Sequence, residues 1–300
     1  NQKPTLQPKP LAKSRRARRV KAPHGGAPCG PGQQRHRPSA KYEPWPEYEL
    51  PVGSPMQIFR DAPAWKDADN PVGEKMARSW RVAKNGATQC WIRGRPPPAH
   101  LQARTPPEDR EPLYERYTKD WMAGVVRAAP SQNPKVLMKR WGAIIHPSFL
   151  HRARGKKPRP CVNYKPLLNS YVSAKKMKME TLKHIPDWGQ KGMWMWQADD
   201  QKAFNSVQTG EMQKYMVIDL GPPPDTMGPH LPRYLVPLGL NFGYKLAPFL
   251  FYLASKPWLA HVRHEGIAAT LYVDDSMGGH PDRLRALREY ERAKELKTYY

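Results

Sequence analysis

The sequence is poor in what would staple a small secreted fold or carry a chain through a bilayer. Its three cysteines, Cys29, Cys90 and Cys161, are scattered and form no C-x-x-C pair. That excludes a zinc knuckle and a disulfide framework, and a reducing compartment is expected. The longest apolar stretch, Leu246 to Ala254, is too short to span a membrane. There is no secretory apolar region, so an intracellular setting, nuclear or in a cytoplasmic particle, is expected and a membrane partner is not. No internal repeat is found, which argues against a solenoid. Acidic residues are also scarce: 26 Asp and Glu stand against 50 Lys and Arg. The first residue is Asn1, as in a fragment or a processed product.

What is abundant is positive charge and proline. A formal net charge of +24 and a pI near 10.0 point to a polyanionic partner, nucleic acid or an acidic membrane surface. The 35 prolines crowd the first third of the chain. Residues 1–40 hold ten Lys/Arg, seven prolines and no acid, with a cluster at Arg15, Arg16, Arg18 and Arg19. Such a stretch cannot bury enough apolar surface to fold alone. It reads as a disordered basic arm on a phosphate backbone, an import or transit signal, or a solvated linker. Residues 41–110 stay Pro-rich, with isolated Trp45, Trp65, Trp80 and Trp91. They read as irregular structure with one short helix around 74–83. Residues 1–110 are therefore expected to be arm or linker, and 111–300 the folded part.

From Glu111 the pattern changes. Leu113, Tyr117, Trp121 and Val125 recur at helical spacing and predict a helix to Ala129. Strands are expected over 143–145, 161–164, 193–198, 215–218 and 267–273. A basic loop joins the first two of these, His151 to Lys157. Residues 177–185 read as helical. Pro248 to His264 reads as a buried helix kinked at Pro257. Pro281-Asp282 opens a last helix to Lys297, with Leu284, Leu287 and Leu296 inward. Strands alternating with helices predict an α/β or α+β layer fold.

Two strands end on aspartate: Trp194-Met195-Trp196-Gln197-Ala198-Asp199 and Thr270-Leu271-Tyr272-Val273-Asp274-Asp275. Either alone is ordinary turn chemistry. Side by side, Asp199, Asp274 and Asp275 would repel one another unless a cation lay between them. Hard oxygen ligands suit Mg²⁺, which keeps waters and takes further ligands from substrate phosphates. Two such ions about 3.5–4 Å apart can clamp both oxygens of an in-line phosphoryl displacement.

Four words in the sequence, taken together, resemble the reverse transcriptases. Tyr272-Val273-Asp274-Asp275 resembles their YxDD box. Asp199-Asp200-Gln201-Lys202-Ala203-Phe204 is similar to the first palm motif, D-x-x-x-A-[FY]. Leu240-Asn241-Phe242-Gly243-Tyr244-Lys245-Leu246-Ala247-Pro248 is similar to the box P-F-G-L-x-x-A-P. Lys157-Pro158-Arg159-Pro160-Cys161-Val162-Asn163-Tyr164-Lys165-Pro166-Leu167-Leu168-Asn169 resembles the fingers motif. The boxes keep the family's order over roughly residues 110–300. The nearest flavour is the DIRS-type retrotransposons, on a Lys-Pro in the third-box helix and a Gly-Ile before the YxDD strand; gypsy-like elements come second.

The resemblance implies an α+β fold of fingers and palm, with an antiparallel palm sheet backed by helices. It implies an RNA-directed DNA polymerase acting on a primed RNA or DNA template with deoxynucleoside triphosphates. Asp199 and Asp274 would be the main ligands of two Mg²⁺ ions (Mn²⁺ could replace them), with Asp275 in support. Lys157, Arg159, Ala203, Phe204 and Phe242 would bind the nucleotide. Phe204 would act as a steric gate against a 2′-hydroxyl. Lys165, Gly243 and Tyr272 would meet template or primer. His261 and His264 have no third ligand in reach and read as surface residues.

The sequence also departs from the family. Asp200 stands where an apolar residue is usual, Leu167-Leu168 adds a residue to the fingers word, and Asn163 replaces a common acid. Residues 221–232 form a Pro-rich insert. The chain stops at Tyr300, before the next palm motif, the primer grip and the thumb, and has no ribonuclease H, integrase or recombinase segment. A palm without a thumb is expected to hold template–primer weakly. Whether further domains of a polyprotein supply the thumb is left open by the sequence, and inactivity of this fragment alone is an expectation. A domesticated, non-catalytic polymerase fold that binds nucleic acid or serves as a structural component is the competing expectation. An RNA-dependent RNA polymerase ranks third.

Overall fold

The computed structural model describes residues 42–73, 77–87, 94, 96–155, 157–173, 180–200, 202–224 and 231–300, and these form a mixed α+β fold. The expected arm of residues 1–40 lies outside the described residues, as do 177–179 of the helix expected over 177–185 and half of the Pro-rich insert; Leu182–Asp187 form a 3-10 helix capped by Thr181.

The elements follow the chemistry of their ends. Helix α1 (Pro55–Arg60) starts at Ser54, whose hydroxyl accepts from the Gln57 amide, with proline in the first turn. Helix α2 (Ala77–Asn85) precedes a two-residue strand β1 (Ala99–His100). Helix α3 (Pro107–Met122) opens with proline and with Glu108 and Asp109 at its positive end. Strand β2 (Val126–Ala128) and helix α4 (Pro134–Trp141) follow; α4 is capped by Asn133 and ends on Gly142 at φ 70°. Then come β3 (Ile144–His151), β4 (Arg159–Val162), the single turn α5 (Leu168–Tyr171), β5 (Trp194–Asp199), β6 (Val217–Asp219) and β7 (Tyr234–Pro237). Helix α6 (Ala247–His264), strands β8 (Ala269–Tyr272) and β9 (Asp275–His280), and helix α7 (Arg283–Tyr299) complete the chain.

Two sheets result. The larger has the order β1-β3-β6-β7-β2, with β1 and β6 parallel to β3, β7 antiparallel to β6, and β2 antiparallel to β7. Strand β3 changes partner at Pro147. Ile145, His146 and Pro147 pair with β6, and Ser148 to His151 pair with β4. Proline has no amide to give a ladder, so it falls where the pairing switches. The smaller sheet is antiparallel, β5-β9-β8, with α6 and α7 against it. Its consecutive glycines make room for neighbours. A Cβ at Gly278 would sit 2.2 Å from the Trp196 ring, and one at Gly279 would sit 2.8 Å from the Met195 sulfur.

Several expectations change. The helix expected to reach Ala129 stops at Met122, because Gly124 at φ 71° turns the chain into β2. Residues 42–110 are not simply arm: residues 42–300 cluster as one compact unit, and Met56, Ala64, Val72 and Val82 are buried in its cores. The short helix expected at 74–83 is found as α2, and α1 precedes it. Helix α6 includes Pro257 as a buried residue. On α7, Leu284 and Leu287 are exposed, and the inward face is Ala286, Glu289, Ala293 and Leu296. His261 is buried between the rings of Tyr299 and Tyr300, with its Nε2 3.3 Å from Glu265, so it is a packed residue and not a surface one.

Candidate active site

The two aspartate-ended strands meet. In the β5–β9 ladder Asp199 is directly opposite Asp275, and in the β8–β9 hairpin Tyr272 is opposite Asp275. Val273-Asp274 is therefore a two-residue turn. Val273 takes φ 57° and Asp274 does not share it, the φ pattern of a type II′ turn. Glycine usually fills that first position; a β-branched residue there is strained. The Asp200 amide donates to the Asp274 carbonyl at 3.1 Å and ties the turn to the end of β5. Four carboxyl groups are thus gathered at one corner.

Their electrostatics reflect this crowding. Burial pushes the Asp274 carboxyl up. Its own amide and the Arg159 cation pull it down, while Asp275 and Asp199 push it further up. Burial also raises Asp200; the Lys297 ammonium, in contact with it, offsets part of that. A divalent cation would relieve the repulsion, and the donor set is of the hard-oxygen type that Mg²⁺ and Mn²⁺ take. Among the described residues no three Asp, Glu, His or Cys side chains converge on one point. An ion here would be completed by water and by substrate oxygens, which is how Mg²⁺ is commonly held.

A cleft of about 900 Å³ runs from this corner to the β3–β4 hairpin. Of the residues singled out in the sequence, Asp199, Asp274, Lys157, Arg159, Ala203, Phe204 and Phe242 line it. Asp275, Lys165, Gly243 and Tyr272 do not. Lys165 is exposed and Tyr272 is half-exposed at the end of β8. The rings of Phe204 and Phe242 meet edge to face at 5.1 Å, and Phe251 backs Phe204 at 6.0 Å. The Arg159 guanidinium lies 6.0 Å from the Phe242 ring. The cleft thus brings the Lys157 and Arg159 cations of the hairpin, the Asp199 and Asp274 carboxyls and the Phe204–Phe242 pair to one space.

The hairpin is held to the Phe242 turn by backbone. The Val162 amide donates to the Phe242 carbonyl at 3.1 Å. Gly243 has φ 105°, and a Cβ on it would fall 2.0 Å from the Val162 oxygen. In this structure its close approach is therefore to strand β4. Asn169, next to the added leucine, clamps the same turn: its amide donates to the Gly243 carbonyl at 2.8 Å and its oxygen accepts from the Lys245 amide at 3.0 Å.

Sequence reasoning missed several members of the site. Arg116, Lys119 and Asp120 reach the cleft from α3, which read only as an amphipathic helix. Lys202, at φ 55°, sits between the carboxylates and Phe204. Asn241 lines the cleft while accepting from the buried Tyr164 hydroxyl at 2.9 Å. Lys297 comes from 97 residues beyond Asp200. Only Lys202 and Asn241 lay inside a motif word; the others carried no local signal. No family model matches the chain, and no curated protein matches it.

Proposed function

We propose that the chain is an RNA-directed DNA polymerase of a retroelement, adding deoxynucleotides to a primer 3′ end. The observation that carries this reading is the pairing of Asp199 with Asp275, with Asp274 in the turn alongside. Fingers would correspond to the β3–β4 hairpin and palm to the β5-β9-β8 sheet with α6 and α7.

In this reading Asp199 and Asp274 hold two Mg²⁺ ions, with Asp275 in support. The ions would lower the pKa of the primer hydroxyl and neutralise charge on the phosphates. The chain's own residues do the rest. Lys157 and Arg159 grip the triphosphate across the cleft, the arginine by paired hydrogen bonds. Phe204, braced by Phe251, lies under the sugar and excludes a 2′-hydroxyl. Phe242 packs against the new base pair. Lys165 and Tyr272, outside the cleft, would touch template and primer rather than nucleotide.

The test is primer extension on an RNA template with Mg²⁺, comparing deoxynucleotides with a ribonucleotide-only mix. Extension with deoxynucleotides that disappears in Asp274→Asn supports the reading. A second reading, a polymerase-like fold that only binds nucleic acid, is favoured by the net charge of +24. It predicts binding without extension, unchanged in Asp274→Asn.

A further inference from the structure

We propose that Lys297 is a positioning residue for the carboxylate corner: it holds the Asp200 carboxylate off the metal ions and cancels its charge. Asp199, Asp274 and Asp275 are then left to do the binding. The inference rests on the metal-dependent reading above.

The argument starts from direction. Asp199 ends β5 on the exposed side of the sheet, where Gln197 lies two residues before it. Asp200 follows at once, and its amide is already engaged with the Asp274 carbonyl. Its side chain borders both the cleft and a cavity of about 220 Å³ walled by Phe251, Trp258 and Tyr300, which Asp199 also lines. There it meets the Lys297 ammonium, and each side chain of the pair is roughly four-fifths buried, at 24% and 21% exposure. Among the described residues no other ion pair reaches any of the four acids.

Lys297 is itself fixed from two sides. Its ammonium lies 4.7 Å over the Trp258 ring, and the indole N–H donates to the Ala293 carbonyl one turn earlier on α7 at 2.9 Å. Its neighbour Leu296 is buried. The last turn of α7 is thus locked to α6 with the lysine pointing at Asp200. A fourth free carboxylate at this corner would compete for the ions and draw one toward the cavity side. An unpaired lysine there would repel them.

The measurement is Mn²⁺ affinity, from the paramagnetic resonance of the free ion, on the full chain and its variants, each checked for folding by circular dichroism. Lys297→Met is expected to tighten Mn²⁺ binding on the order of tenfold, because it frees a buried carboxylate. Asp200→Asn is expected to weaken it by a similar factor, because it frees the ammonium. The double variant should return to within about twofold of wild type, and Lys297→Arg should stay there. Single variants that melt earlier but bind Mn²⁺ as wild type does would overturn the proposal and leave Lys297 a structural residue. So would a double variant that does not cancel. If Lys297→Met does not fold, unchanged affinity in Asp200→Asn overturns the proposal equally. Asp274→Asn separates the two ideas. If it leaves Mn²⁺ binding intact, the metal reading itself falls. If it removes binding while the Asp200 and Lys297 variants stay at wild type, only the role of Lys297 falls.

Discussion

At Val273 the chain takes a conformation that costs a β-branched residue on the order of 1–3 kcal/mol. Pairing on both sides of the turn holds it there, and the next residue is Asp274. If Asp274 is the central ligand, Asp274→Asn should lower primer extension on the order of 10³-fold while nucleic-acid binding, read by fluorescence anisotropy, stays within about twofold. Phe204→Val should open the space under the sugar, and ribonucleotide incorporation should rise on the order of 10²-fold relative to deoxynucleotide. A third residue carries a pH dependence. Burial pushes the His146 imidazole down to about 4, and the Tyr215 carbonyl, 3.0 Å from Nε2, offsets only part of that. The folded state therefore prefers the neutral ring. Its contribution is present above the unfolded value of about 6.5 and is lost as pH falls toward 4, on the order of 3 kcal/mol in all. Urea unfolding at pH 7 and pH 4.5 should show a smaller acid loss in His146→Leu than in wild type. The acids of the site were legible as residues because aspartate at a strand end is chemically conspicuous. Lys297, Asp120 and His146 were not, since their meaning comes from partners far along the chain.

Among the elements, the β3–β4 hairpin packs backbone to backbone on the turn at Gly243. Gly243→Ala would drive a methyl into the Val162 carbonyl and leave a non-glycine residue at φ 105°. A loss on the order of 3 kcal/mol is expected by denaturant unfolding, with weaker nucleotide binding as the hairpin lifts. A wild-type melting curve for this variant would show that the turn can move at little cost. Two strands of the smaller sheet, β5 and β8, were readable in advance because they carry strand-forming residues bounded by turn signals; β9, with two glycines in six residues, was not. Of the parallel neighbours of β3, β6 falls on the strand expected at 215–218, while β1, with two residues, is too short for a period to register. Helix α7 misled for another reason. Its buried positions 286, 289, 293 and 296 are helically spaced, but three of them are Ala, Glu and Ala. Small side chains let the helix lie close on Trp196 and Trp258, while two larger leucines face out.

Charge and fold are unevenly distributed over the whole molecule. Residues 1–40 carry ten of the basic residues and no acid, and the compact unit begins at Tyr42. A chain starting at Tyr42 should bind single-stranded nucleic acid on the order of tenfold less tightly at low salt, with a shallower dependence of log Kd on log salt. Equal slopes for both lengths would mean that the arm makes no phosphate contacts.

Strand β5 has its ladder partner in β9, which follows it by more than 70 residues, and β6 and β7 of the large sheet and helix α6 lie in the chain between them. During synthesis β5 therefore emerges with both edges bare and waits for β9 to arrive. An unpaired strand of this kind is open to a neighbouring nascent chain. The exposed Asp199 at its tip and Gln197 beside it are poor partners for such a meeting, while Trp194 and Met195 are good ones. Chaperone dependence in the cell, and aggregation of products truncated before residue 275, would follow from the order in which the ladder is completed.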